Sequence, residues 1–213
     1  MQLPNILTTI RIALSPLFIL FFMIDTTWSL FGCLILFGVL EITDLLDGHI
    51  ARRDDKITVF GKLMDPYADS IARFTIFLSF LAADLAPLWV IAIFFYRDVL
   101  VSIIRVFAIK EGRVVSARRS GKNKAIVQAV AIALVLISLY MEKKEWIPED
   151  IGIFGIPLVT IAIFIAAIYT LYSAVDYWNV NTDGINQGEA YDKIRQQIRS
   201  FIPFEEYVIS DEI

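Results

Sequence analysis

The chain has 213 residues, of which 57% are hydrophobic and 20% are charged, and its formal net charge is −4. The apolar share exceeds the roughly 45 to 50% that is usual for soluble globular domains, so we expect a membrane protein. The single cysteine excludes an internal disulfide and a metal cluster held by cysteine ligands.

Six apolar runs approach the roughly 20 residues that a helix needs to cross a bilayer. In chain order they span residues 6–24, 28–48, 66–85, 87–109, 124–141 and 151–178. Arg11 and Pro16 interrupt the first run. Both are tolerable there, because a long basic side chain can reach the interface and neighbouring helices can satisfy freed backbone groups. The pattern predicts an all-α polytopic protein with six transmembrane helices, in which residues 1–178 form one membrane domain.

Basic residues alternate between the predicted loops. The loops after the first and third runs contain no Lys or Arg. The loops after the second and fourth runs carry Arg52, Arg53, Lys56, Lys62, Lys110, Arg113, Arg118, Arg119, Lys122 and Lys124. Because short basic loops stay on the cytoplasmic side, we expect these two loops and both termini to be cytoplasmic, in an inner (cytoplasmic) membrane.

The chain from residue 179 to 213 has a different composition, and we predict a cytoplasmic, partly helical C-terminal tail. Its apolar residues Tyr191, Ile194, Ile198 and Phe201 recur at helical spacing. Such a helix would lie on the membrane surface or pack against a partner. A partly disordered end is an equally good interpretation of the same residues.

Four aspartates follow helical spacing where the second and third runs meet. Asp44 and Asp47 lie about 60° apart on a helix, and Asp65 and Asp69 lie about 40° apart, so each pair shares one face. Two helices that meet there would bring four carboxylates together, and these would repel one another unless cations compensated them. An all-oxygen set of this kind suits a hard divalent ion such as Mg²⁺ or Mn²⁺.

Two glycines and an arginine extend this pattern. Glycine inside a helix costs about 1 kcal/mol relative to alanine, so Gly48 and Gly61 suggest close approach of a ligand to the backbone. Arg52 adds a guanidinium that can bind phosphate oxygens. An ordinary charged loop would explain any one of these residues, but ionisable groups at membrane depth are usually functional. The set indicates a site for a diphosphate.

The whole stretch resembles the signature of the CDP-alcohol phosphotransferase family: Asp, two residues, Asp-Gly, two residues, Ala-Arg, eight residues, Gly, three residues, Asp, three residues, Asp. In this chain the matching residues are Asp44, Asp47, Gly48, Ala51, Arg52, Gly61, Asp65 and Asp69. Eight fixed residues with every spacing kept make this a specific signal.

The resemblance implies a fold and a set of roles. Members of that family are six-helix membrane proteins, commonly homodimers, in which an alcohol displaces CMP from a CDP-linked lipid. By this resemblance Asp69 is the catalytic base. The implied ligands of two divalent cations are Asp44, Asp47, Asp65 and Asp69, and the implied CDP-binding residues are Asp47, Gly48, Ala51, Arg52, Gly61 and Asp65.

Five further stretches resemble the bacterial phosphatidylglycerophosphate synthase branch of that family. They read "LPNILTTIRIALSPLFILFF", "LMDPYADS", "RDVLVSIIR", "SGKNKAIVQ" and "TLYSAVDYW". This resemblance implies CDP-diacylglycerol as donor and sn-glycerol 3-phosphate as acceptor, in phospholipid synthesis. We expect membrane lipids but no nucleic acid among the partners.

A phosphorylated acceptor needs cations, and Arg105, Lys122 and Lys124 are the candidates for its phosphate group. Arg97 would either join them or pair with Asp98. An inositol phosphate or serine acceptor remains open. Two other classes of function are also open: a divalent-cation transporter, which predicts carboxylates near the middle of several spans, and a lipid-binding scaffold, which leaves the aspartate spacing unexplained.

Overall fold

A computed structural model describes the backbone of residues 3–50, 59–110, 119–148, 151–153 and 156–182, and the side chains of residues 9–43, 67–104, 119–148, 151–152 and 156–179. Within these ranges the chain is mostly helical. The helices are α1 (Leu3–Ile24), α2 (Thr27–Ile50), α3 (Val59–Ala82), α4 (Leu88–Lys110), α5 (Arg119–Lys143) and α6 (Leu158–Thr182). Each helix overlaps one of the six apolar runs.

Two helix starts differ from the sequence expectation. The helix α3 begins at Val59 rather than near residue 66, because the charged residues and the proline before that point hide the helix from an apolar pattern. The helix α6 begins at Leu158 rather than 151. A short antiparallel hairpin of β1 (Gly152–Ile153) and β2 (Ile156–Pro157) precedes it, so Pro157 lies before the last helix and not within it.

The helices form a closed ring. Their principal contacts follow the order α1, α2, α5, α6, α4 and α3, and return to α1. Successive helices run in opposite directions, so α1, α3 and α5 start at the end of the bundle where α2, α4 and α6 finish. We call this the motif end, because the aspartate motif lies between α2 and α3. At the opposite end, Lys143 Nζ donates to Asp25 Oδ2 at 2.6 Å and joins α5 to the α1–α2 turn.

The half of the bundle away from the motif end has an apolar core. Phe18 and Phe22 of α1 stack with ring centroids 6.0 Å apart, and Phe77 of α3 lies 4.3 Å from Phe94 of α4. Alanines dominate the buried face of α6, as at Ala166, where small side chains let helices approach closely. This core fixes the helix arrangement that positions the polar residues of the other half.

The motif half of the bundle is polar inside. Its buried side chains include Arg11, Ser15, Ser120, Lys124, Gln128, Thr170 and Ser173. Buried polar groups are costly unless they are hydrogen-bonded. These lie on three helices, α1, α5 and α6, and several of them bond to residues of α3, α4 or α6. The candidate site lies in this half.

Length and composition mark two helices in the described part of the chain as able to cross a membrane. They are Arg119–Lys143 and Leu158–Asn179, and two shorter apolar helices span Thr9–Ile24 and Thr27–Thr43. The mostly helical fold is therefore confirmed, and the six transmembrane spans stay a prediction.

Candidate active site

The structure places most of the motif on two successive helices. Asp44, Asp47 and Gly48 lie in the last turns of α2, and Gly61, Asp65 and Asp69 lie in the first half of α3. Ala51 and Arg52 lie outside the described residues, as do the side chains of Asp44, Asp47 and Asp65. Asp69 is thus the one predicted carboxylate whose contacts the structure describes.

Asp69 pairs with an arginine of the first helix. Arg11 Nη1 donates to Asp69 Oδ1 across 58 positions of sequence. The Arg11 side chain is 3% exposed, whereas that of Asp69 is 32% exposed. The expectation that Arg11 reaches out to the interface is therefore wrong, because a carboxylate of α3 is available to it inside the bundle. This pair holds the side chain of Asp69 close to α1.

A second ion pair joins α2 to α3 beside the motif. Arg73 Nη2 lies 3.4 Å from Glu41 Oε1, and both side chains are largely buried. Glu41 precedes Asp44 by about one helical turn, and Arg73 follows Asp69 by about one turn. The pair therefore links the two helices, which are not neighbours in the ring, about one turn from Asp44 and Asp69.

The two ion pairs enclose one small space between α1, α2 and α3. Arg11, Glu41, Asp69 and Arg73 line a cavity of about 10 Å³, together with apolar residues such as Phe37. This volume is close to that of one water molecule. Charged and apolar side chains therefore pack closely together here and leave little empty space.

The donor chemistry of the motif fits a hard divalent cation. Carboxylate oxygens are the ligands that Mg²⁺ and Mn²⁺ prefer, and the two helices that carry these carboxylates are joined by the Glu41–Arg73 pair. Among the described side chains no three potential ligands converge, since only Asp69 of the predicted four belongs to them. Asp44, Asp47, Asp65 and Asp69 are the residues that could hold such ions.

A second charged cluster lies where α4, α5 and α6 meet. Asp98 Oδ1 accepts from Lys124 Nζ at 2.6 Å and from Arg97 Nη1 at 3.0 Å. Arg97 Nη2 donates to Ser173 Oγ of α6 at 2.8 Å. The pairing of Arg97 with Asp98, one of the two expectations for this arginine, is confirmed. We call Arg97, Asp98 and Lys124 the charged triad.

The predicted acceptor-phosphate residues divide between different surroundings. Lys124 is buried within the charged triad, but Lys122 is exposed. Two residues apart on one helix, these lysines point about 200° away from each other. The structure therefore separates them. Arg105 lies on α4, and its side chain is outside the described residues.

A cavity of about 140 Å³ lies between α3, α4 and α5 and is lined mainly by apolar residues such as Phe74. Its few polar side chains include Ser70 and Arg73 of α3, Asp98 of α4 and Gln128 of α5. Ser70 directly follows Asp69 in the chain. The cavity therefore borders one member of each charged cluster, Arg73 and Asp98, whereas Asp69, Arg97 and Lys124 are not among its lining residues.

Four charged groups of the site are not among its sequence-predicted residues, namely Arg11, Glu41, Arg73 and Asp98. All four are ionisable residues in apolar runs, and such residues are usually functional. That signal was present in the sequence, but it does not say which partner each residue meets.

Comparison with known proteins identifies the family. The model of the family described as CDP-alcohol phosphatidyltransferase matches residues 1–180. A CDP-diacylglycerol–glycerol-3-phosphate 3-phosphatidyltransferase of Bacillus subtilis (strain 168) is 30% identical over 197 residues, which cover 86% of this chain and 97% of the relative. Proteins with the same name from Escherichia coli (strain K12) and Treponema pallidum (strain Nichols) are also similar. The Escherichia coli protein is 33% identical over 181 residues, which cover 83% of this chain and 92% of the relative. The Treponema pallidum protein is 34% identical over 154 residues, which cover 66% of this chain and 71% of the relative. The chain belongs to the CDP-alcohol phosphatidyltransferase family, which is membrane-associated and generally dependent on divalent cations.

Proposed function

We propose that this protein transfers the phosphatidyl group of CDP-diacylglycerol to sn-glycerol 3-phosphate, releasing CMP and forming phosphatidylglycerophosphate for phospholipid synthesis. The observation that carries the proposal is the ion pair between Glu41 of α2 and Arg73 of α3, about one helical turn from the aspartate motif. The names of the relatives, which cover most of the chain, support the same reaction.

The four motif aspartates would hold two divalent cations, Mg²⁺ or Mn²⁺. Bound there, such ions neutralise the diphosphate and the charge that develops on the departing CMP. The CDP moiety would be received by Asp47, Gly48, Ala51, Arg52, Gly61 and Asp65. Glycines let the backbone approach the nucleotide closely, and the arginine binds phosphate oxygens.

Asp69 is the proposed base. An ionised carboxylate can accept the proton of the attacking hydroxyl, and the guanidinium of Arg11 lies against this carboxylate. The same contact fixes the side chain against α1, so its position does not depend on the acceptor. Because base catalysis requires the group to lie within hydrogen-bonding reach of the proton, this fixed position is part of the mechanism.

The acceptor phosphate would be bound by cations beyond the base. Lys124 is the described member of the proposed set, which also includes Arg105 and Lys122. One cavity is lined both by Ser70, the chain neighbour of Asp69, and by Asp98, the partner of Lys124. A phosphate held at one end and a hydroxyl presented at the other is the orientation that in-line transfer requires.

The proposal includes a membrane setting. We place six transmembrane helices in the inner membrane, with the site and both termini on the cytoplasmic side and a homodimer as the assembly. The lipid tails then stay in the bilayer while the nucleotide and glycerol phosphate arrive from water. The polar half of the bundle lies at the motif end, as this arrangement needs.

The test is CMP release by purified protein in mixed micelles with CDP-diacylglycerol and Mg²⁺ or Mn²⁺. Glycerol 3-phosphate, inositol phosphate and serine are supplied separately. We expect metal-dependent turnover with glycerol 3-phosphate alone, loss of turnover in Asp69→Asn, and unchanged turnover in Asp25→Asn, which alters an ion pair at the opposite end.

Each other outcome has a definite meaning. Turnover only with inositol phosphate or serine would overturn the acceptor and keep the transfer reaction. Absence of CMP release with every acceptor, from folded protein, would overturn the transferase proposal. Metal-ion flux in sealed vesicles would then favour a transporter, in which the same carboxylates would line an ion path.

A further inference from the structure

A single carboxylate holds two buried cations between α4 and α5. The side chains of Arg97, Asp98 and Lys124 are 10%, 16% and 6% exposed. Both cations donate to the same oxygen, Asp98 Oδ1, at 3.0 and 2.6 Å. The charged triad therefore consists of two positive groups and one negative group, with a net charge of +1.

The charged triad contains a hydrogen-bond donor that an anion could satisfy. Arg97 Nε is buried and has no hydrogen-bond partner among the described residues. Gly121 faces the guanidinium, and a Cβ there would lie 3.4 Å from Arg97 Nη2, so the backbone of α5 leaves little room beside it. A buried donor without a partner is costly, and an added anionic oxygen would satisfy it.

Without Asp98 the two cations would face each other in a low-dielectric interior. Like charges at this separation repel strongly. The carboxylate therefore offsets this repulsion, and its hydrogen bond fixes where Lys124 Nζ points. Asp98 also lines the cavity that reaches Ser70, beside the proposed base.

We propose that Asp98 is a positioning residue, which holds the cationic groups of Lys124 and Arg97 in place to bind the phosphate group of the acceptor. The inference rests on the proposed function, since the acceptor is the phosphorylated alcohol of that reaction. Asp98 itself, being anionic, does not touch the phosphate.

The first test is Asp98→Asn, which removes the charge and keeps the size of the side chain. The KM for glycerol 3-phosphate should rise by about tenfold or more, the size expected when charge-assisted hydrogen bonds are misplaced. The KM for CDP-diacylglycerol and kcat at saturating acceptor should change by less than about twofold. Asp98→Glu, which restores the charge, should recover most of the loss.

Asp25→Asn is the matched control, because it neutralises the acid of another 2.6 Å lysine pair at the far end of the bundle. It should leave both KM values unchanged. If Asp98→Asn lowers thermal stability but leaves the acceptor KM unchanged, the triad is only a link between helices and the inference is wrong.

A double variant tests whether Asp98 acts through its lysine. Lys124→Met should raise the acceptor KM, and Asp98→Asn should raise it by a smaller factor in that background than in wild type, since one of the two groups that Asp98 positions is gone. Full additivity of the two effects would overturn the inference.

Calorimetric binding of glycerol 3-phosphate to the full-length protein in micelles, without CDP-diacylglycerol, separates this inference from the proposed function. Glycerol is the control ligand, because it lacks the phosphate. Binding that weakens in Asp98→Asn supports the inference even if the wild-type protein releases no CMP. If wild type and Asp98→Asn both turn over glycerol 3-phosphate, with equal KM and equal affinity for this acceptor, the proposed function stands and the inference is wrong.

Discussion

The Arg11–Asp69 pair predicts an unequal response to loss of its two members. Arg11 is 3% exposed and Asp69 is 32% exposed, so the arginine depends on its counter-charge more than the aspartate does. Breaking a buried pair by removing one partner costs about 3 to 5 kcal/mol when the remaining charge stays buried. Asp69→Asn leaves the buried charge behind, whereas Arg11→Met replaces it with an apolar side chain and leaves a carboxylate that is one third exposed.

We therefore expect Asp69→Asn to lower the free energy of unfolding by about 3 kcal/mol and Arg11→Met by about 1 kcal/mol, after allowing for the partial exposure of the acid. For a chain of this size 1 kcal/mol corresponds to about 2 to 4 °C in Tm, so Asp69→Asn should melt roughly 6 to 12 °C below wild type. The double variant should melt near Arg11→Met alone, because its interior holds no uncompensated cation.

The assay is thermal unfolding in detergent micelles, followed by tryptophan fluorescence at one fixed scan rate. Lys143→Met is the control, because its pair with Asp25 is largely exposed and should be worth less than about 1 kcal/mol. Equal destabilisation by Arg11→Met and Asp69→Asn, or strict additivity in the double variant, would refute the reasoning from burial.

Three further predictions concern packing, a buried hydrogen bond and metal. Gly32→Ala should be less stable than Gly38→Ala by roughly 1 to 3 kcal/mol, the cost of an overpacked contact, and should have the lower Tm. A Cβ at Gly32 would lie 2.6 Å from a ring carbon of Phe21, whereas one at Gly38 would meet nothing within 4 Å. Equal Tm values would contradict that reading. Gln128→Leu should cost about 1 kcal/mol by thermal unfolding, because Gln128 Nε2 donates to buried Thr170 Oγ1 at 3.1 Å; a stabilised variant would show that the bond contributes nothing net. Removal of divalent cations with a chelator should abolish CMP release, and added Mg²⁺ or Mn²⁺ should restore it; persistent turnover would count against the metal role.

The sequence predicted the helices better than their mutual contacts. Apolar runs report how long a helix stays in an apolar environment, so all six helices were found. An apolar run does not detect helical turns that contain charged residues, so α3 begins earlier than expected. Pro157 was assigned to the last helix because its neighbours are apolar, whereas the backbone there forms a hairpin.

Motif spacing located the candidate site but not the groups that support it. The aspartates were found because helical periodicity is local in sequence. Arg11 and Asp69 are separated by 58 positions and Asp98 and Lys124 by 26. No local pattern encodes such pairs, since they depend on which helices become neighbours. For the same reason Lys122 and Lys124 were grouped by proximity in sequence, although one is exposed and the other buried.

The order of the ring has a consequence for how the chain is made. A ribosome completes α1, with Arg11 in it, well before it reaches Asp69 on α3. Helix α2, which packs against α1 in the finished ring, has been synthesised by then. A nascent chain that stops after two helices therefore carries Arg11 before Asp69, its partner 58 positions later, has been made. Helix α1 cannot reach its final packing until the third helix has been made, so we expect the first three helices to assemble as one unit.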